Sequence, residues 1–358
     1  MRHALSLARK GKGFTSPNPC VGAVVVSNKK VIGRGWHRQA GDPHAEVHAL
    51  REAGESARGA TLYVTLEPCA HYGRTLPCTE LITNSGLARV VIPIKDPNPL
   101  VNGKGLDKLR RNGIDIDVGL MGQEATRLIE EFVTFQTQNR PFVTLKIAMS
   151  LDGKIATHTG QSQWITGKRA RRIAHRLRHE HDAVLVGVNT VLQDDPRLTV
   201  RLTGRWTQPQ RIVADSNART PANARVISES TKSKCLIATT RLAPKQKRDA
   251  LAGAGAEIMI VRRTNGRTNL SHLMQLLAER NITSVLIEGG GELAWSAAHA
   301  NIIDKMVLFV GPLLLGGRDA PTAINGHGVA RLADAFKVTD LSVRHVDEDL
   351  LLTGYVAR

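Results

Sequence analysis

At about 100–200 residues per domain, a chain of 358 residues divides into two domains, and 42% hydrophobic with only 4% aromatic residues predicts aliphatic cores. The formal net charge of +17, with no block of consecutive like charges, argues against a nucleic-acid-binding tail and favours anionic small molecules, leaving only weak nucleic-acid affinity open. No apolar run approaches the ~18 residues of a membrane span, the N-terminus lacks a signal-peptide pattern, and four cysteines form no disulfide framework, so a reducing cytoplasm is the expected compartment.

The first ten residues read as a short amphipathic helix. Residues 21–26 and 31–35 form a β-hairpin around the polar turn Ser27-Asn28-Lys29-Lys30. Asp42-Pro43 predicts a helix start, with Asp as N-cap and Pro at the first helical position, and Gly54 its end. Residues 61–66 and 89–94 are strands, and Pro77-Cys78 opens a helix between them. Residues 96–105 form a loop and 123–136 a helix, which Asn139-Arg140-Pro141 breaks. The domain boundary falls there, giving 1–140 and 141–358. The second half begins with a strand over 141–149 and a helix over 167–181. Strands follow at 183–188, 211–214, 235–238 and 257–261, then a helix at 270–280 and a strand at 284–287. Strands alternating with helices predict mainly parallel sheets covered by helices, an α/β class.

Chemistry concentrates in Pro43-His44-Ala45-Glu46 and in the run from Pro68-Cys69 to Pro77-Cys78. One histidine, two cysteines and a carboxylate that is not a ligand would hold zinc with its fourth position open, a water-activating arrangement. Helix N-termini at His44 and Cys78 would favour the thiolate that metal binding needs. His44 and His48 are four apart, but the metalloprotease pattern needs Glu directly after the first His, so His48 is read as a helix-surface residue. Cys20 and Cys235 sit in apolar strand-like runs and read as inert core residues. In the second half no G-x-G-x-x-G follows a strand; instead Glu288-Gly289-Gly290-Gly291 joins a strand to a helix, where close backbone approach suits a phosphate.

H-x-E followed by Pro-Cys is the zinc nucleobase-deaminase pattern with a lengthened second spacing. The run Glu67-Pro68-Cys69-Ala70-His71-Tyr72-Gly73-Arg74-Thr75-Leu76-Pro77-Cys78, with Thr15-Ser16-Pro17-Asn18-Pro19 upstream, resembles the bifunctional riboflavin-biosynthesis deaminase/reductases. Leu76 departs from the family's usual Pro. The blocks Lys146–Lys154, Ser162–Thr166 and Gly187–Arg201 are similar to the reductase half of the same family, and the likeness runs over about residues 2–355. It implies a cytidine-deaminase-like three-layer domain at the N-terminus and a dihydrofolate-reductase-like domain at the C-terminus. It further implies that Glu46 is catalytic, that His44, Cys69 and Cys78 bind one zinc, and that Asn18, His37, His71 and Arg74 line the deaminase pocket.

In the second domain the resemblance implies an NADPH site at Ala148, Trp164, Thr190, Asp194, Ser216 and the run Gly290, Gly291, Glu292, Leu293, Ala294, Trp295 and Ser296. Lys146, Asp152, Ser162, Arg178, Leu198, Arg201 and Glu288 would contact a ribosyl phosphate substrate. Trp164 has a core-packing alternative, and Leu313 stands where the family usually has Lys. The implied substrates are phosphorylated aminopyrimidines, with no specific nucleic acid and no membrane, in a homo-oligomer, dimer or tetramer. Two other readings stand beside this one: a nucleoside- or nucleic-acid-editing zinc deaminase with an unrelated C-terminal half, and a zinc-stabilised RNA-binding protein.

Overall fold

The computed structural model describes residues 1–70, 77–99, 101–229 and 233–357. It divides into two compact units, Met1–Asn139 and Arg140–Arg358. The first contains α1 (Arg2–Ala8), β1 (Gly22–Ser27), β2 (Lys30–Trp36), α2 (Ala45–Ala53), β3 (Thr61–Val64), α3 (Cys78–Asn84), β4 (Arg89–Ile92), α4 (Lys104–Arg111), β5 (Asp115–Val118), α5 (Gly122–Leu128) and α6 (Glu130–Gln138).

The sheet order is β2-β1-β3-β4-β5, and it is mixed rather than mainly parallel: β1 pairs antiparallel with both β2 and β3, while β3–β4 and β4–β5 are parallel. The reason is topological. The crossover from β2 through α2 to β3 passes over β1, so β2 and β3 run the same way with an antiparallel strand between them. The core joins Ala23, Val25, Leu62, Val64, Val90 and Ile92 of the sheet to Ala45, Ala49 and Leu50 of α2. Gly35 in β2 permits this close packing, since a Cβ there would lie 2.1 Å from the Ala45 carbonyl oxygen.

Helix α2 begins at Ala45, not at Pro43, and His44 is its N-cap with extended backbone. The Pro43 carbonyl, which a helix from Pro43 would use internally, lies 3.3 Å from His37 Nδ1 instead. The helix expected over 123–136 is two helices, interrupted at Ile129 (φ −118°).

The second unit contains β6 (Phe142–Ser150), α7 (Lys168–Glu180), β7 (Ala183–Gly187), α8 (Val188–Asp194), β8 (Gln210–Ala214), α9 (Arg225–Ser228), β9 (Leu236–Thr239), α10 (Lys245–Gly253), β10 (Glu257–Ile260), β11 (Arg263–Thr264), β12 (Arg267–Thr268), α11 (Leu270–Ala278), β13 (Ser284–Glu288), α12 (Gly291–His299), β14 (Lys305–Gly311), β15 (Val338–Val346) and β16 (Asp349–Val356). A nine-stranded sheet has the order β10-β9-β8-β7-β13-β6-β14-β16-β15, parallel from β10 to β14 and antiparallel beyond. Central strands such as β7 and β13 are buried on both faces and read as unbroken aliphatic runs. Ligands of such sheets sit beyond the C-terminal strand ends. Here those ends carry Gly187, Ala214 and Glu288.

Candidate metal centre and dinucleotide cleft

Three elements build the first site. His44 caps α2, Glu46 lies in that helix's first turn, and Cys78 is the first residue of α3. Cys69 is tied to α3 by two backbone contacts: the Cys78 N–H donates to its Sγ (3.3 Å) and the Thr79 N–H to its carbonyl (3.2 Å). His44 Nδ1 lies 3.2 Å from Cys78 Sγ and 3.6 Å from Cys69 Sγ. The three ligand atoms all lie within 4.8 Å of one another.

These residues fit a zinc ion. In a tetrahedral site with Zn–S near 2.3 Å and Zn–N near 2.0 Å, ligand atoms stand about 3.5–3.8 Å apart. The donor set is nitrogen and sulfur, which zinc prefers. One thiolate is already favoured: hydrogen bonds from the Cys78 thiol and then His44 draw Cys69 down to about 4, and the same bond with burial pushes Cys78 up. The hydrogen bond to Cys69 raises His44 to about 9. Among the described residues, His48 takes no part in the cluster.

Glu46 is only 3% exposed, and burial raises its carboxyl above the ordinary range. His37 is buried, with its ring 5.5 Å from that of His44, and its Nε2 lies 3.4 Å from Asn18 Nδ2. Asn18 and His37 therefore meet beside the metal ligands. His71, Arg74 and Leu76 lie outside the described residues. The sequence reading missed the part played by Glu67. Its buried carboxylate accepts from the backbone N–H groups of Asp96, Gly103, Gly105 and Leu106, which pins the strand end leading into Pro68-Cys69. Cys20 and Cys235 are buried core residues, and burial lifts Cys235 to about 12.

The second unit holds a cavity of about 470 Å³. Thr190, Asp194, Ser216, Gly290, Gly291, Glu292, Leu293 and Ser296 line it, together with Ser162, whose hydroxyl donates to Asp194. The glycines fit a close-approaching phosphate. Gly289 and Gly290 take positive φ (76° and 62°), and a Cβ on Gly290 would crowd Thr190 Oγ1 at 3.3 Å. Of the remaining residues implied for the cofactor, Ala148 packs beside Phe309, and Ala294 is wholly inside the core. Trp295 lines a neighbouring groove, where it stacks on His299. Trp164 is 63% exposed under the Arg171 guanidinium, so the core-packing alternative fails.

A buried charged cluster stands at the end of β13. Arg178 binds Glu288 with two hydrogen bonds (2.6 and 2.9 Å), and Lys146 Nζ lies 3.7 Å from the same carboxylate. Burial alone would raise Glu288, but Arg178 and Lys146 overcome it and hold it at about 2. Burial draws Lys146 down. Arg178 and Arg201 both donate to the Thr199 carbonyl, and His175 beside them is lowered to about 4 by burial and then by these two cations. Asp152 is exposed and accepts from Ser150 and from the Leu315 and Gly316 N–H groups, so it anchors the loop that carries Leu313. The Leu198 side chain is turned into the core, which leaves only its main chain for a ligand.

No helix among the described residues is long and apolar enough to cross a membrane. The family profile for the cytidine and deoxycytidylate deaminase zinc-binding region matches residues 1–94, and that for the RibD C-terminal domain matches 141–352. This second match removes the alternative of an unrelated C-terminal half. The chain is 46% identical to the riboflavin biosynthesis protein RibD of Aquifex aeolicus, over 98% of this chain and 96% of the relative. It superposes on RibD of Acinetobacter baumannii with a TM-score of 0.89 at 37% identity, covering 100% and 98% of the two chains. The diaminohydroxyphosphoribosylaminopyrimidine deaminase/5-amino-6-(5-phosphoribosylamino)uracil reductase of Thermotoga maritima matches with a TM-score of 0.87 at 36% identity, covering 100% and 97%. A zinc-deaminase region and a RibD C-terminal domain in one polypeptide, matched end to end by these relatives, make the chain a member of the RibD family of riboflavin biosynthesis proteins.

Proposed function

We propose that residues 1–140 deaminate 2,5-diamino-6-(5-phosphoribosylamino)pyrimidin-4(3H)-one, and that residues 141–358 reduce the resulting 5-amino-6-(5-phosphoribosylamino)uracil to its ribityl form. The observation that carries the reading is the pairing, in one chain of this family, of the partly buried His44–Cys69–Cys78 cluster beside buried Glu46 with the Lys146–Glu288–Arg178 cluster.

His44, Cys69 and Cys78 would hold the zinc, which when bound supplies a Lewis acid that lowers the pKa of water from 15.7 to about 7. Glu46, kept from solvent and raised by burial, takes a proton from the attacking water and returns it to the departing ammonia. The water oxygen replaces nitrogen on the ring carbon. Asn18 and His37 orient the pyrimidine, a role that the family resemblance extends to His71 and Arg74.

Thr190, Asp194, Ser216, Gly290–Leu293 and Ser296 would hold NADPH, which when bound would supply a hydride for C1′ of the opened ribose. Lys146, with its pKa drawn down by burial, gives the balancing proton, and Glu288 holds the ammonium in place. The Arg178 guanidinium is committed to Glu288, which leaves exposed Arg201 as the cation for the substrate phosphate. The reading places the enzyme in the cytoplasm, where its cysteines stay reduced, as a homo-oligomer.

A coupled assay tests the assignment. Zinc-replete protein should release ammonia from the diaminopyrimidine phosphate without NADPH, and should oxidise NADPH only once deaminated product has formed. Absence of ammonia release, or NADPH oxidation that precedes it, would overturn the order of the two steps.

A further inference from the structure

The cleft of the second unit has two unlike ends. One is built by Ile155 and Ser162, from the segment that follows β6, the strand carrying Lys146. The other is built by Ser216, Asn217 and Arg219 beyond β8 and by Arg267–Thr268, joined where the Thr268 N–H donates to Ser216 Oγ (2.9 Å). In the sheet, β8 is separated from β6 by β7 and β13. Three strand spacings of about 4.8 Å put these strand ends roughly 14 Å apart. A dinucleotide whose nicotinamide reaches the Lys146 strand must therefore lay its adenosine over the end of β8.

The charges at that end discriminate between the two dinucleotides. In Rossmann folds a carboxylate meets the ribose 2′-hydroxyl of NAD and an arginine the 2′-phosphate of NADP, and the same charge logic holds for any dinucleotide cleft. The acid here, Asp215, is fully buried and turned away: its Oδ2 accepts from both the N–H and the hydroxyl of Thr220, each at 2.7 Å. That bracket closes the short loop on which Arg219 sits. Arg219 lines the cleft and donates to Asn189 Oδ1 at 2.7 Å, a neutral partner that aims the guanidinium without cancelling its charge. The two carboxylates lining the cleft are engaged elsewhere, Asp194 with Ser162 at the opposite end and Glu292 with Arg267.

We infer that Arg219 reads the adenosine 2′-phosphate and sets a preference for NADPH over NADH. The inference rests on the reductase reading of this cleft. Its test is calorimetric titration of the full chain with NADP+ and NAD+, which differ only in that phosphate. The native chain should bind NADP+ more tightly. Loss of a charge-assisted contact in Arg219→Gln should weaken NADP+ roughly 10- to 100-fold and leave NAD+ unchanged. Arg219→Lys should recover part of the loss, and the KM for NADPH should rise while kcat holds. An unchanged NADP+ affinity, or equal losses for both dinucleotides, would overturn the role of Arg219 while leaving the cleft a cofactor site. Binding of neither dinucleotide by the native chain would instead overturn the reductase reading, and this inference with it.

Discussion

Glu46 and Glu288 are both buried carboxylates, and their surroundings push them in opposite directions. Burial dominates at Glu46 and raises it, whereas Arg178 and Lys146 dominate at Glu288 and hold it at about 2. Glu46→Gln should cut ammonia release by about 10²–10⁴, while metal analysis still finds one zinc per chain and NADPH oxidation with the deaminated substrate is unchanged. Loss of zinc, or of both activities together in a folded variant, would contradict its role. For Glu288 the sign follows from linkage. Its pKa is depressed on folding, so its stabilisation is complete above the ordinary carboxylate value near 4.5 and fades as pH falls toward 2. Glu288→Gln strands two buried cations and should cost about 3–5 kcal/mol at pH 7. The melting-temperature gap between native and variant protein should narrow steadily from pH 5 to pH 2. A gap that stays constant over that range would mean the carboxylate is not ionised in the folded chain.

Around the metal ligands, one side chain replaces what regular structure does not supply. Glu67 gathers four backbone N–H groups, from Asp96, from Gly103 and from Gly105 and Leu106 in the first turn of α4, and Gly105 lets that turn abut the Pro68 carbonyl, where a Cβ would lie 2.2 Å away. Glu67→Gln introduces an amide donor against N–H donors. It should lower stability by about 1–3 kcal/mol, read from the urea midpoint, and hasten zinc release to a chromophoric chelator. Unchanged release kinetics would detach this clamp from the metal centre. The sequence revealed His44, Glu46, Cys69 and Cys78 because spacing and chemistry coincide there. It misplaced the start of α2, since Asp42-Pro43 has good capping chemistry while the Pro43 carbonyl faces the His37 ring six residues earlier. It passed over β15, where a bulge between Thr339 and Ser342 breaks the period of two on an exposed edge strand. Arg219 was equally hidden: among 49 basic residues, only the fold shows that Arg219 and Arg267 line the cleft and that Arg267 is paired with Glu292.

Each unit has cores of its own. The clusters around Leu62 and Leu5 draw only on residues before Asn139, and those around Leu145, Val186 and Phe309 only on residues after Arg140. The end of α6 was legible in Asn139-Arg140-Pro141 because proline halts the preceding helix in the sequence itself. The mixed order of the first sheet was not, because it depends on which strands a crossover spans. Separate cores and separate ligands predict two unfolding transitions that respond independently. Ligand at 100 times its Kd stabilises the state that binds it by about 2.7 kcal/mol. For a unit of roughly 200 residues this corresponds to about 5–10 °C. Calorimetric scans of the full chain should therefore show NADPH raising one transition by about that amount and leaving the other in place. A zinc chelator should lower the other transition and leave the NADPH response intact, because the thiolate and imidazole donors all lie in the first unit. A single transition that moves with both treatments would show that the two units fold as one cooperative body, and that zinc and dinucleotide occupancy are coupled through it.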